Sequence, residues 1–226
     1  MPLSAPESLS SSSLSSLLAT YAPLRPTSLC PELSAFHADD ELPLWIALEA
    51  ALGRQIDAPF FAVAWPGAQA VSRVLLDRDV DVDGAVVVDL GCGDGLAAVA
   101  AKRAGASRVI GVDVDPLAVA VTSLLAQAHD VEVEAVIGSL LHDDIEAIVA
   151  GADVVLAADL VYNRELGAAL AVRAKRWLEA GKRVVLADSG RPFFDDVGLP
   201  VRARFSVPVP RGVEGRDVRD VRVFWR

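Results

Sequence analysis

The sequence has few of the residues from which covalent and metal-held scaffolds are built. Cysteine occurs twice, at Cys30 and Cys92, with no C-x-x-C pair. That excludes a disulfide framework and a cysteine zinc site, and it fits a reducing cytoplasm. The three histidines, His37, His129 and His142, are scattered; they read as ordinary surface or loop residues, so no metal site is expected. No apolar run reaches the roughly 18 residues of a membrane span. The Ser- and Leu-rich start has no basic n-region and no A-x-A pattern, which argues against a secretory signal. Positive charge is in deficit: 21 Lys and Arg stand against 31 Asp and Glu, a formal net charge of −10. A nucleic-acid phosphate backbone is therefore not the expected partner. Acidity of this kind favours solubility and identifies no substrate.

What the sequence does have is apolar content, 53% of 226 residues, enough for one well-buried domain. Residues 1–20 read as a flexible Ser-rich tail, or as an amphipathic helix of marginal stability. Residues 21–226 read as a single domain with a helical extension at about 31–80.

Apolar periodicity predicts a helix over Leu44–Leu52, stopped by Gly53, and another over Ala68–Leu76 after the Trp65-Pro66-Gly67 break. Strands then alternate with helices. Strands are expected at Val86–Leu90, Arg108–Asp113, Glu132–Ile137, Asp153–Ala158 and Arg183–Asp188. Helices are expected at Leu96–Arg103, Pro116–Gln127, Asp143–Val149 and Arg164–Ala180. The βαβα order implies an α/β, Rossmann-like, mostly parallel sheet covered on both faces. The C-terminal stretches "RARFSVPVP" and "RDVRVFWR", separated by "RGVEG", read as two antiparallel strands.

The informative stretch is "VVVDLGCGDG", Val86–Gly95, where a β-branched strand breaks into three glycines within five positions. A dinucleotide fingerprint needs G-x-G-x-x-G/A. Gly91 and Gly93 fit, but the third glycine, Gly95, arrives one step early and Leu96 stands in its place. The spacing is poor for NAD. It suits S-adenosylmethionine, which has no pyrophosphate but a zwitterionic amino-acid end, a ribose and an adenine. Gly91 and Gly93 would let backbone pass close beneath the cofactor, where a Cβ would clash. Asp89 could reach the ammonium. Asp113, twenty positions beyond Gly93 at the tip of the next strand, could accept both ribose hydroxyls, each charge-assisted bond contributing roughly 1.5–3 kcal/mol. The strand ending in "ADLVY" should lie across the switch point from the glycine strand, so that Asp159 and Tyr162 face the reacting end. Asp159 is a candidate for holding or deprotonating an acceptor, and alternatively for capping the helix that begins near Arg164.

Assembled, these residues resemble the seven-β-strand (class I) protein-lysine methyltransferases, within them the electron-transfer flavoprotein β-subunit lysine methyltransferase and predicted nicotinamide N-methylase group. The likeness runs from about Pro31 to the C-terminus. It rests on "AWPGAQAVSRVLLD", "VVDLGCGDG", "AAKRAGASRVIGVDVDPLA", "DLVY" and "DSGRP". The resemblance implies a seven-stranded, mostly parallel sheet with a C-terminal antiparallel strand. It implies cofactor contacts from Trp65, Gly67, Asp89, Gly91, Cys92, Gly93, Asp113 and Val114, and from Ser139, Leu140 and Ala158. Ser139 stands where relatives often have Asn or Asp. Asp159 and Tyr162 would line the approach of an acceptor lysine, on a protein such as electron-transfer flavoprotein β. A monomer in the cytoplasm, with no nucleic-acid or membrane partner, is expected. Two other readings stay open: a small-molecule amine N-methyltransferase, and a non-catalytic binding module on the same fold.

Overall fold

A computed structural model describes residues 9–209 and 217–226. Five parallel strands form its centre: β3 (Val86–Leu90), β4 (Arg108–Asp113), β5 (Glu134–Ile137), β6 (Val154–Ala158) and β7 (Arg183–Asp188). With β8 (Val201–Pro208) and β9 (Val218–Trp225) they make a seven-stranded sheet of order β5-β4-β3-β6-β7-β9-β8. β9 runs antiparallel to both β7 and β8, so it alone is reversed. This is the expected α/β architecture. The order turns outward in both directions from β3, which puts the switch point at the carboxyl end of β3 and β6.

Helices cover both faces. α3 (Pro66–Leu76), α4 (Leu96–Arg103) and α5 (Pro116–Ala128) pack with Val87, Val109 and Leu156 in one core. α6 (Ile145–Ala150) and α7 (Arg164–Glu179) pack with Val88, Ile110, Val112 and Val155 in the other. Strand alternation therefore sends Val87, Asp89 and Val109, Gly111, Asp113 toward the first face. Local signals set the helix ends: Asp115 caps α5 through Leu117 N–H, and Asn163 caps α7 through Leu166 N–H. The cap of α7 is thus Asn163 and not Asp159, because Asn163 has the extended backbone a cap needs.

The N-terminal region follows one of its two readings and adds a hairpin to it. Residues 11–21 form helix α1 (Ser11–Tyr21), capped by Ser10, and Leu14 and Leu18 are wholly buried in the first core. Of the two readings of residues 1–20, a flexible tail or a helix of marginal stability, the helix is the one found from Ser11 onward; residues 1–8 lie outside the described residues. The extension is also not purely helical: β1 (Leu24–Pro26) pairs antiparallel with β2 (Ser34–Phe36) ahead of α2 (Leu42–Leu52). His129 at the end of α5 ties this hairpin down through Ser34 O at 2.8 Å. The expected "RGVEG" turn lies outside the described residues. Among the described residues, no helix is long and apolar enough to cross a membrane.

Candidate functional site

The glycine loop follows β3 directly. Gly91, Gly93 and Gly95 have φ of 65°, 57° and 88°, all left-handed, which is why glycine stands at each. Their surroundings differ. A Cβ on Gly91 would meet Leu160 Cδ1 at 2.5 Å, so the close approach there is to this chain's own side chain. A Cβ on Gly95 would meet Thr122 at 2.7 Å, while one on Gly93 would meet nothing within 4 Å. Open space lies above Gly93, while the space above Gly91 is taken by the Leu160 side chain.

Asp113 turns toward this loop. Its Oδ2 accepts from Gly93 N–H at 2.9 Å and its Oδ1 from Asp115 N–H at 3.0 Å. Each oxygen keeps a further lone pair for a donor above the loop. Asp89, on the same face one strand away, is 2% exposed and its Oδ2 has no hydrogen-bond partner. Burial first, then the charges of Asp94 and Asp113, push its carboxyl up to about 8. Asp94, inside the loop, is 5% exposed, its Oδ2 is also without a partner, and burial pushes it up to about 7. Cys92 is buried with Sγ 3.3 Å from Thr122 Oγ1, and burial raises its thiol well above the usual range.

Across the switch point, Asp159 adopts φ 49°. Its Oδ2 accepts from Gly67 N–H at 2.5 Å, and its Oδ1 accepts from the Ser189 hydroxyl at 2.7 Å. A Cβ on Gly67 would lie 2.6 Å from Asp159 Oδ2, so this contact requires glycine. Asp159 thereby joins the first turn of α3 to the end of β7. Trp65 donates its indole N–H to Phe60 O at 2.7 Å, and the Arg191 guanidinium lies 5.7 Å from its ring centroid. Asp188, buried at the end of β7, holds Gly190 and Arg191 by their N–H groups and pairs with Arg222 at 2.9 Å. Tyr162 is 65% exposed; partial burial and the carboxylates of Asp113 and Asp57 raise its hydroxyl, which places it beside those two acids.

The strand tips thus bring together two groups of the expected residues: Asp89, Gly91, Cys92, Gly93 and Asp113 in one, Trp65, Gly67 and Asp159 in the other. Val114 is 58% exposed just beyond Asp113. Ser139 Oγ caps its own turn by accepting from Leu141 N–H. Leu140 is buried in the second core, its carbonyl taken by Arg173 Nε at 2.9 Å; its side chain is core, and only its backbone is left for a ligand. Ala158 is half-buried at the end of β6. Sequence reasoning missed Asp94 and Ser189 as polar members of the site, although both sit inside the segments singled out. A cavity of about 620 Å³ lies at the opposite, amino-terminal ends of β3, β6 and β7, lined by Asp83, Asp153, Lys182 and Arg183 among others. Lys182 there is already bonded to Ala150 O and Ala152 O. The strand tips, with their orphaned carboxyl oxygens, are the better candidate. Among the described residues, no group of three or more His, Cys, Asp or Glu could hold a metal ion.

The family model for ribosomal protein L11 methyltransferase (PrmA) matches residues 70–164. The electron transfer flavoprotein beta subunit lysine methyltransferase of Danio rerio is 34% identical over 143 residues, 61% of this chain and 53% of that protein. The protein of the same name from Rattus norvegicus is 32% identical over 157 residues, 67% of this chain and 60% of that one. The human one is 35% identical over 141 residues, 60% and 51%. The chain thus spans between half and three fifths of the length of these relatives. Among solved structures, TrmN from Thermus thermophilus aligns with a TM-score of 0.52 at 22% identity, covering 69% of this chain and 47% of that one. Magnesium protoporphyrin IX methyltransferase from Synechocystis PCC 6803, solved with bound SAH, aligns with a TM-score of 0.50 at 16% identity, covering 70% and 83%. These likenesses show the fold: it is the Rossmann-like class I methyltransferase fold.

Proposed function

We propose that the chain is an S-adenosylmethionine-dependent N-methyltransferase that acts on lysine side chains of a protein, such as the electron-transfer flavoprotein β subunit for which its relatives are named. The observation that carries the reading is Asp113, bonded over the Gly93 N–H beside the open space above Gly93. The residues fit the cofactor: an orphaned Asp89 oxygen for the ammonium, two Asp113 oxygens for the ribose hydroxyls, and a glycine with no neighbour above it. Val114, Ser139 and the backbone of Leu140 flank the adenine side. Trp65, Gly67, Cys92 and Ala158 enclose the methionyl side.

When bound, S-adenosylmethionine supplies an electrophilic methyl group. The protein's task is then alignment and exclusion of water. Phe60, Trp65 and Tyr162 frame the approach, and Tyr162 is exposed enough to meet an acceptor. The acceptor amine must be neutral, and a free lysine ammonium has a pKa of about 10.4. Burial lowers it. Asp159 already accepts from Gly67 N–H and the Ser189 hydroxyl, so it orients the acceptor's surroundings. We take the protein to work as a monomer in the cytoplasm, with neither nucleic acid nor membrane as partner. The net charge of −10 and two buried free thiols support that reading.

The test is methyl transfer from isotopically labelled S-adenosylmethionine to purified electron-transfer flavoprotein, read by mass spectrometry of the β subunit. Methyl increments on lysine, lost with Asp113→Ala, are expected. Transfer only to a small amine, or cofactor binding with no acceptor modified, would refute the lysine reading.

A further inference from the structure

We propose that Asp94 is a second anionic residue of the pocket for the cofactor's amino-acid end, and that cofactor binding expels a proton from the buried Asp89–Asp94 pair. The inference rests on the crevice being an S-adenosylmethionine site. Its starting point is an imbalance of charge around the end of β3. Two carboxyl groups, Asp89 near the end of β3 and Asp94 in the loop that follows, are shut off from water, and the Oδ2 of each has no partner. Asp94 Oδ1 is held by Leu96 N–H at 3.1 Å. α4 offers Asp89 only the Ala98 N–H. The ionisable groups that act on Asp89 are Asp94 from the loop after β3 and Asp113 from β4; the Cys92 thiol feels all three acids. No cationic side chain among the described residues acts on either carboxyl.

Two buried carboxylates that repel each other, with an unpartnered oxygen on each, are so unfavourable that retaining protons is the lower state. Burial accordingly raises both groups to about 8 and about 7. An ammonium arriving at the orphaned oxygens reverses the preference, since it stabilises only the ionised form. The balance is simple. A carboxylic acid of the pair gives its proton to solvent, the ammonium keeps its own three, and no bond to carbon changes. The ligand's free amino group itself loses a proton at alkaline pH, so binding there takes a proton up. The net count therefore changes sign near neutral to mildly alkaline pH.

The experiment is calorimetric titration with S-adenosylhomocysteine, which carries the same ammonium, in buffers of different ionisation enthalpy. Near pH 6 about one proton is released per ligand bound, and affinity rises on the order of tenfold per pH unit. Asp94→Asn removes a like charge from beside Asp89, so the affinity profile moves to lower pH by on the order of one unit. Carbon-13 carboxyl titration of the unliganded protein, assigned with the Asn variants, shows both groups titrating above pH 6. Binding without proton release near pH 6, an Asp94→Asn profile that superimposes on the wild type, or carboxyls that titrate near their ordinary range each overturn the inference alone. Absence of binding at every pH overturns the cofactor reading along with it.

Discussion

Gly93→Ala separates folding from ligand binding at one atom. Gly93 has φ 57°, and a Cβ added there meets nothing within 4 Å. The cost to the protein is backbone strain alone, about 1–2 kcal/mol for a left-handed alanine. In a chain of this size that lowers Tm by roughly 2–8 °C. The Gly93 N–H can still reach Asp113, so the loop keeps its anchor. The added methyl, however, projects into the space assigned to the cofactor. Overpacking of that kind costs about 1–3 kcal/mol, a roughly 5- to 150-fold loss of affinity. Gly91→Ala is the control. It bears the same strain, and Leu160 Cδ1, 2.5 Å from the new Cβ, must also move, so its Tm falls further. Thermal melts give the first quantity and calorimetry with S-adenosylhomocysteine the second. If Gly93→Ala binds the ligand as tightly as the wild type, the space above Gly93 is not where the cofactor lies.

Three further perturbations test other parts of the argument. Asp159→Ala removes the acceptor of the Gly67 and Ser189 hydrogen bonds; turnover should fall at least about tenfold with cofactor affinity changed less than about threefold, and equal losses in steady-state and binding measurements would argue against an acceptor role. Leu18→Ala empties a wholly buried position on α1 and should destabilise by about 2–5 kcal/mol in denaturant melts; an unchanged midpoint would mean that α1 is not part of the core. Stability of the unliganded protein should also depend on Asp94 through pH. Its folded-state pKa is raised to about 7 from 3.8, so the folded state binds more protons than the unfolded one between those values and stability falls as pH rises through them. Asp94→Asn should therefore raise Tm relative to the wild type at pH 8.5 and much less at pH 5, and equal differences at both would contradict the protonated pair.

Much of the site was legible because its parts are local. The five central strands, the break at Gly91–Gly95 and the carboxylate at Asp113 follow from β-branched runs, glycine spacing and the βαβ repeat, and β3, β4 and β7 begin and end where the periodicity places them. β5 starts two residues later than expected, at Glu134, since an edge strand pairs only where β4 faces it. The hairpin β1–β2 left no periodic signal, being three residues a side, and it depends on contacts with α5. α1 hides behind serines whose helical register is fixed by Leu14 and Leu18 finding a core.

The sequence by itself determined that a glycine turn and an acid end successive parallel strands, because φ > 0, strand alternation and helix caps are decided by neighbours along the chain. Only the tertiary structure decided that Asp159 reaches Gly67, 92 residues away, and Ser189, 30 residues away, and not the helix that follows it. Only it decided that Asp89 and Asp94 are both buried with an unpartnered Oδ2. Desolvation and long-range hydrogen bonding depend on which surfaces the folded chain closes over, and no local pattern in the sequence carries that information.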